Sequence, residues 1–408
     1  MKNRIACLIV FVASLLTACG GGGGGGGSSS TPATPSTPAT PSFVNSVSVV
    51  VDSGPNNRSV NQPFVTVKVC VPGTSQCQSI DHVLLDTGSV GLRLIGAAFD
   101  ASGFLPVVNS ANGQPVAECY TFASGPVWGP VVQADVKMGD EVASSIPVQV
   151  VSPSGFAPPP ASCLSKGTPI TSVSGLQANG ILGIGHQAKD CGSTCESNSG
   201  QSRYFTCAGA SCGARTLPVA QQVINPVSAF PLDNNGTLIT LPVVGAGGLY
   251  APSGTLTFGI GTRANNSPAT AATVLAVNGS GYFTTRYKGV SLVDSFIDTG
   301  SNGLFFSDSI PLCGATASGF YCPASTLALS ATLTGSNGQG SVLVSFGIAN
   351  AEALVATGKT AFANLGGGGL SGFGASFDWG LPFYYGKTVV TALEGASTPL
   401  GAGPYIAF

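Results

Sequence analysis

Charge is scarce in this chain: 8% of its 408 residues are Asp, Glu, Lys or Arg, and no stretch gathers the 15 basic ones into a patch. Nucleic-acid binding depends on such a patch, so that class of partner is excluded. Histidine is scarcer still, with His82 and His186 the only two, which leaves a catalytic metal centre short of its commonest ligand. No metal or other cofactor is expected. No apolar run reaches the ~20 residues that a helix needs to cross a bilayer. Helical periodicity is also short, and the best stretch is Leu217 to Ile224 behind Pro218.

Glycine (58) and proline (28) are abundant instead, between short β-branched runs such as Val65 to Val69 and Val131 to Val136. Strand-length runs punctuated by Gly, Pro, Asn and Ser specify a mainly β protein. The length exceeds what one core usually organises, so two lobes are expected.

The first residues read as targeting. Lys2 and Arg4 precede the apolar run Ile5 to Leu16, and Leu16-Thr17-Ala18-Cys19 follows, the order of an export signal over residues 1–19. Leu-Thr-Ala-Cys resembles the bacterial lipobox. That resemblance implies lipidation of Cys19 and, with Gly20 rather than Asp behind it, an outer-membrane lipoprotein of the cell envelope. Residues 20–42 are rich in Gly, Ser, Thr and Pro, too poor in apolar groups to build a core, and read as a disordered tether. Membrane contact is then expected through the N-terminal lipid only. The folded part starts near Phe43.

Of the 12 cysteines, Cys7 lies in the signal and Cys19 at the lipid site, which leaves ten. An even number in an exported chain points to five disulfides. Short spacings favour hairpin staples such as Cys70 with Cys77 and Cys313 with Cys322. The four between Cys191 and Cys212 also admit a zinc knuckle, although their spacing does not fit one.

The most informative pattern is internal. Leu84-Leu85-Asp86-Thr87-Gly88-Ser89-Val90-Gly91-Leu92-Arg93-Leu94 matches Phe296-Ile297-Asp298-Thr299-Gly300-Ser301-Asn302-Gly303-Leu304-Phe305-Phe306 at six of eleven positions. One such loop is readily an ordinary Asx turn. Two, each between apolar strands, indicate a duplicated lobe. If the lobes are related by a two-fold axis, Asp86 and Asp298 meet across a cleft and share one proton, because two adjacent carboxylates do not both ionise cheaply. A charged and a neutral carboxyl then supply a general base and a general acid without a metal. Ser89 and Ser301 are placed to donate to the carboxylates, Thr87 and Thr299 to brace the loops, and Gly88 and Gly300 to let the backbones approach.

These loops resemble those of pepsin-like aspartic peptidases, and further landmarks follow in that family's order from Phe43 to Phe408. Asn179-Gly180-Ile181-Leu182-Gly183-Ile184-Gly185 is similar to the segment that threads behind the first catalytic loop. Cys119 through Gly139 is similar to the flap hairpin, with Tyr120 at the flap tyrosine's place, where an ordinary strand aromatic fits equally. Gly254 to Gly259 is similar to the strand closing the first lobe, and Gly380 to Tyr385 with Tyr405 to Phe408 to the second lobe's counterparts. The resemblance implies a bilobal fold with lobes at 43–262 and 263–408, pseudo-symmetric about a central cleft. It further implies a monomeric aspartic endopeptidase acting on polypeptides, with Asp86 and Asp298 as its catalytic pair.

The chain departs from that family at three places. Arg93 stands where a Trp usually supports the flap tyrosine. The flap carries Pro126, Trp128 and Pro130 at or near its tip, and Trp379-Gly380-Leu381-Pro382 replaces the usual Leu-Gly-Asp. Residues 190–215 read as a cysteine-rich elaboration of the first lobe. Gly209-Ala210-Ser211-Cys212-Gly213 matches a bare nucleophile-elbow pattern, but in a Gly- and Cys-rich context without strand or helix around it. His82 shares strand parity with Asp86, and a polar residue at a strand edge explains it as well. The alternative function is a non-catalytic envelope lipoprotein that uses the cleft to bind protein or glycan.

Overall fold

A computed structural model describes residues 44–99, 103–369 and 375–408. The export signal, Cys19 and the tether lie outside the described residues. The protein is mainly β, and its strand order shows two lobes with the same plan.

In the first lobe, strand Cys77–Asp86 leads into the first acidic loop and Val90–Ile95 leads out. Gly180–Ile184 threads between them, parallel to the former with Leu84 opposite Ile181, and antiparallel to the latter with Arg93 opposite Ile181. In the second lobe, Val290–Ile297 leads in and Leu304–Phe305 leads out. Asp378–Trp379 threads between these, parallel with Phe296 opposite Asp378, and antiparallel with Phe305 opposite Asp378. Each outgoing strand also pairs in parallel with one more strand, Glu141–Val151 in the first lobe and Gly366–Gly367 in the second. The first lobe's threading strand is wholly apolar, as parallel pairing with both faces covered favours, whereas the second lobe's carries Asp378.

The lobes are joined by a six-strand antiparallel layer. Its order is Ser46–Val50, Ser253–Phe258, Gly236–Thr240, Thr388–Ala392, Tyr405–Ala407 and Val274–Ala276. Three strands come from each half, and the central pairing sets Leu238 against Val390. Behind the second acidic loop lies an aromatic cluster in which Phe377 stacks on Trp379 at 4.1 Å and on Phe306 at 4.6 Å.

Five disulfides form, including the expected Cys70–Cys77 and Cys313–Cys322, together with Cys119–Cys163, Cys191–Cys195 and Cys207–Cys212. The four cysteines of the zinc-knuckle reading are therefore paired with one another. The elaboration after Asp190 folds back as a hairpin, and its strand Tyr204–Ala208 pairs with flap strand Val116–Phe122. Ser211 sits in that hairpin's outer strand, opposite Ala208, so the nucleophile-elbow pattern has no structural counterpart.

Two local expectations need correction. The Leu217 to Ile224 stretch forms only the single 3₁₀ turn Val219–Gln221; Gln222 donates to the Leu217 and Gly192 carbonyls, a pairing that closes a turn rather than a helix. The flap tip is Ala123-Ser124, between the paired Phe122 and Gly125. Trp128 and Pro130 lie down the strand, Trp128 because its indole is buried and donates to the Ala157 carbonyl at 2.7 Å. Among the described residues no helix is long and apolar enough to cross a membrane.

Glu141 is 1% exposed and lies beside Asp233, which is paired at 2.5 Å with Arg263. Burial, then Asp233, pushes the Glu141 carboxyl from 4.5 up to about 7. Between those values the unfolded chain gives up a proton that the folded chain keeps, so stability falls as pH rises through that window and is flat for this group below it. Thermal melts from pH 4 to 8 are expected to show that decline, and Glu141→Gln is expected to flatten it; an unchanged slope in the variant would refute the assignment.

Candidate functional site

The acidic loops meet at the floor of a cleft with a cavity of about 200 Å³. Close approach is possible because neither loop carries a side chain at the contact: a Cβ on Gly88 would lie 2.6 Å from the Asp298 Cγ, and one on Gly300 would lie 2.8 Å from the Asp86 Oδ1. The Gly88 N–H donates to the Oδ1 of both acids, at 2.8 Å to Asp86 and 3.2 Å to Asp298. The carboxyls are within hydrogen-bonding reach of each other.

The threonines cross-link the loops. The Thr87 N–H donates to the Thr299 Oγ1 at 3.1 Å, and the Thr299 N–H to the Thr87 Oγ1 at 3.0 Å. The Thr299 hydroxyl goes on to the Leu85 carbonyl at 2.7 Å, whereas the Thr87 hydroxyl pairs with the Tyr384 hydroxyl at 3.0 Å. Four polar groups from sequence-distant segments are satisfied in a dry place, so the relative position of the loops is fixed.

The two acids are not equivalent. Asp86 is 6% exposed and accepts from Ser89 Oγ at 2.5 Å and from Gly88. Asp298 is less buried and accepts from Ser301 Oγ at 2.9 Å, Gly300 N–H at 2.7 Å and Gly88. Burial, then the Asp298 charge, raises the Asp86 carboxyl well above the usual carboxylate range, against the pull of Ser89 and Gly88. Asp86 is therefore the member of the pair whose burial favours holding a proton.

Tyr120, Thr121, Phe122 and Ala123 of the flap line the cleft over this pair. Arg93 lies beneath Tyr120, with its guanidinium carbon 3.6 Å from the ring centroid, a stacking contact of the cation–π kind. The guanidinium is 1% exposed and is held by Glu118 at 2.7 Å, Asp190 at 3.0 Å and the Val90 carbonyl at 2.6 Å. Asp190 in turn accepts from the Tyr204 hydroxyl at 2.7 Å. Burial, offset by Arg93 but aided by Asp190, pushes Glu118 well above its ordinary value. Arg93 takes over the flap support from the missing Trp, and the elaboration after Asp190 supplies its partners.

His82 does not reach this site; its ring nitrogens pair with Asp52 and Asp81 at 3.2 and 3.1 Å. His186, directly behind the Gly-Ile-Leu-Gly-Ile-Gly segment, lines the cleft and bonds the Ala392 carbonyl at 3.0 Å; burial holds its pKa below the ordinary value. Sequence reasoning also missed Glu118, Asp190, Tyr204 and Tyr384, which are brought together only by the fold.

Residues 41–408 match the family described as "Protein of unknown function (DUF3443)", and the chain belongs to that family. No curated protein matches it in sequence. Among solved structures it is similar to the aspartic proteinase from Irpex lacteus, at 18% identity over 89% of this chain and 96% of that one, with a TM-score of 0.45.

Replacing Arg93 with Ala leaves Glu118 and Asp190 buried without their cation. A loss of about 3–5 kcal/mol in chemical denaturation is expected. A loss below about 1 kcal/mol, the range of an exposed pair, would contradict the buried-cluster account.

Proposed function

We propose that this member of the DUF3443 family is an aspartic endopeptidase of the cell envelope, cleaving peptide bonds with water activated between Asp86 and Asp298. The observation that carries the reading is the Gly88 N–H, which donates to both carboxyls at 2.8 and 3.2 Å and so brings two acids to one point under a flap. Asp298, as the charged member, takes a proton from the water while the water oxygen bonds to the scissile carbonyl carbon. Asp86 gives its proton to the carbonyl oxygen. Collapse of the resulting diol returns a proton to the pair and passes one to the leaving nitrogen, which restores the starting state. Polypeptide fits a cleft that continues on both sides of the pair, past Tyr282 and Phe296 in one direction and past Leu84, Ile181 and Phe305 in the other.

Further proposals complete this reading. Cys19 carries the lipid that anchors the protein, the outer membrane being the expected site. Residues 20–42 act as the tether, and the lobes 43–262 and 263–408 act as one monomer around the cleft. Thr87, Gly88, Ser89, Thr299, Gly300 and Ser301 support the pair, and Tyr120 closes over the substrate.

The test is cleavage of denatured protein by the full chain in detergent, from pH 3 to 8, with and without the aspartic-peptidase inhibitor pepstatin. Activity is expected to fall as pH rises through the elevated titration of Asp86, since the acid form is then lost. Asp86→Asn and Asp298→Asn are each expected to reduce the rate on the order of a thousandfold. No cleavage at any pH, or cleavage unchanged in both variants, would reject the peptidase reading in favour of a binding role.

A further inference from the structure

Asn61 lies in the first lobe, in the connection between strands Ser46–Val50 and Phe64–Cys70, and is fully buried. The partners of its side chain all come from the second lobe. Its Nδ2 donates to the Asn302 carbonyl at 3.0 Å and to the Phe362 carbonyl at 2.9 Å. Its Oδ1 accepts from the Phe362 N–H at 2.7 Å and from the Tyr385 hydroxyl at 2.8 Å. The backbone N–H of Asn61 donates to the Thr360 carbonyl at 2.7 Å.

A carboxamide has two hydrogens to give and two lone pairs to receive, and here all four are used. Two carbonyls and a backbone N–H are neighbours of fixed polarity, so the amide has one orientation. An aspartate at this position would turn acceptors toward both carbonyls. The backbone has a φ of 51°, a left-handed conformation that asparagine adopts more readily than other side chains.

Asn302 directly follows the second acidic loop, Asp298 to Ser301. The carbonyl before it, that of Ser301, accepts from the Leu381 N–H at 2.8 Å. Two consecutive carbonyls at the end of this loop are therefore held from different lobes, Ser301 by the turn Leu381–Tyr384 and Asn302 by Asn61. The same turn completes a circuit. The Tyr384 hydroxyl pairs with Thr87 of the first loop at 3.0 Å, and the next residue, Tyr385, reaches Asn61. Burial raises both phenols above their ordinary pKa, so each keeps its hydrogen.

The path from Thr87 passes through Tyr384, Tyr385, Asn61 and Asn302 to the second loop, and the crossed threonine bonds return it to Thr87. Parting the loops must break this ring in two places, in a region where lost hydrogen bonds are not replaced by water. The turn that supplies both tyrosines follows Trp379-Gly380-Leu381-Pro382, one of the places where the chain departs from the pepsin-like pattern.

We propose that Asn61 is a positioning residue of the acidic pair: it holds the end of the second loop from the first lobe and, with Tyr384 and Tyr385, forms a second tie between the lobes that sets the separation of Asp86 and Asp298. Asn61 touches no substrate, being fully buried, and acts through Asn302. Its part in catalysis rests on the peptidase reading, whereas the tie itself does not depend on activity.

The experiment compares the full chain in detergent with three variants. Asn61→Gly accepts the left-handed backbone and removes the whole amide. Tyr385→Phe removes one of the four side-chain bonds with little change in volume. Thr360→Val is a matched control, because the Thr360 hydroxyl accepts from the Ala251 N–H at 2.8 Å and donates to the Val51 carbonyl at 2.7 Å, a contact between the halves that leads to neither acidic loop.

The Asp86 titration, followed by ¹³C-carboxyl NMR, is expected to fall by about one unit in Asn61→Gly as the neighbouring acid moves away, and by a few tenths in Tyr385→Phe. It is expected to stay at the wild-type value in Thr360→Val. For cleavage of denatured protein, kcat is expected to drop on the order of a hundredfold in Asn61→Gly, with KM within about threefold of wild type. An unmoved Asp86 in Asn61→Gly overturns the proposal. An equal shift in Thr360→Val also overturns it, since that result marks general loosening rather than a tie to the loop. If Asn61→Gly does not fold, Tyr385→Phe decides, and an unmoved Asp86 there overturns the tie. Absence of cleavage by wild type rejects the peptidase reading alone, because the NMR titrations still decide the role of Asn61.

Discussion

Two carboxyl groups within hydrogen-bonding reach, largely shielded from water, do not both carry charge. The rest of the molecule is arranged around holding that pair at that range. Repulsion would part the loops if they were free to move, and the crossed threonine bonds between Thr87 and Thr299 prevent it from within. The six-strand layer that joins the halves prevents it from outside, because moving one loop away from the other would shear the pairing of Gly236–Thr240 with Thr388–Ala392. Rigidity at this point is what keeps a reactive arrangement from relaxing into two separate, ordinary acids.

Around this symmetric centre the asymmetries accumulate. On one side Arg93 places a cation beneath Tyr120, and a disulfide-bonded hairpin widens the flap from two strands to four. On the other, Phe305 stands at the place of Arg93, and Asp378 at the place of Ile181. A flap braced by paired strands, the Cys119–Cys163 bridge and a buried ion cluster has less freedom to open than a bare hairpin.

Much of this was legible in the sequence because it is local. The two Asp-Thr-Gly-Ser loops carry their own turn chemistry, the apolar Gly180–Ile184 segment reads as a buried strand, and the short cysteine spacings name their hairpins. The departure at Arg93 was visible, but its meaning was not, since Glu118, Asp190 and Tyr204 lie far from it along the chain and share no pattern with it. Asp378 was passed over for the same reason: a lone acid between Phe377 and Trp379 looks like a surface residue on an alternating strand until pairing covers both faces. The predicted helix at Leu217 to Ile224 failed where side-chain amides of Gln222 satisfied the backbone differently. Long-range side-chain pairing overrode local preference at each of these places.

The central claim is that Asp86 and Asp298 behave as one group with one shared proton. The direct measurement is a pH titration of ¹³C-carboxyl-labelled aspartates by NMR, in wild type and in Asp298→Asn. The account predicts that Asp86 titrates well above the ordinary range in wild type and moves down when the neighbouring charge is removed, to the extent that burial allows. An Asp86 that titrates as an ordinary, independent carboxyl, unaffected by the loss of Asp298, would contradict it.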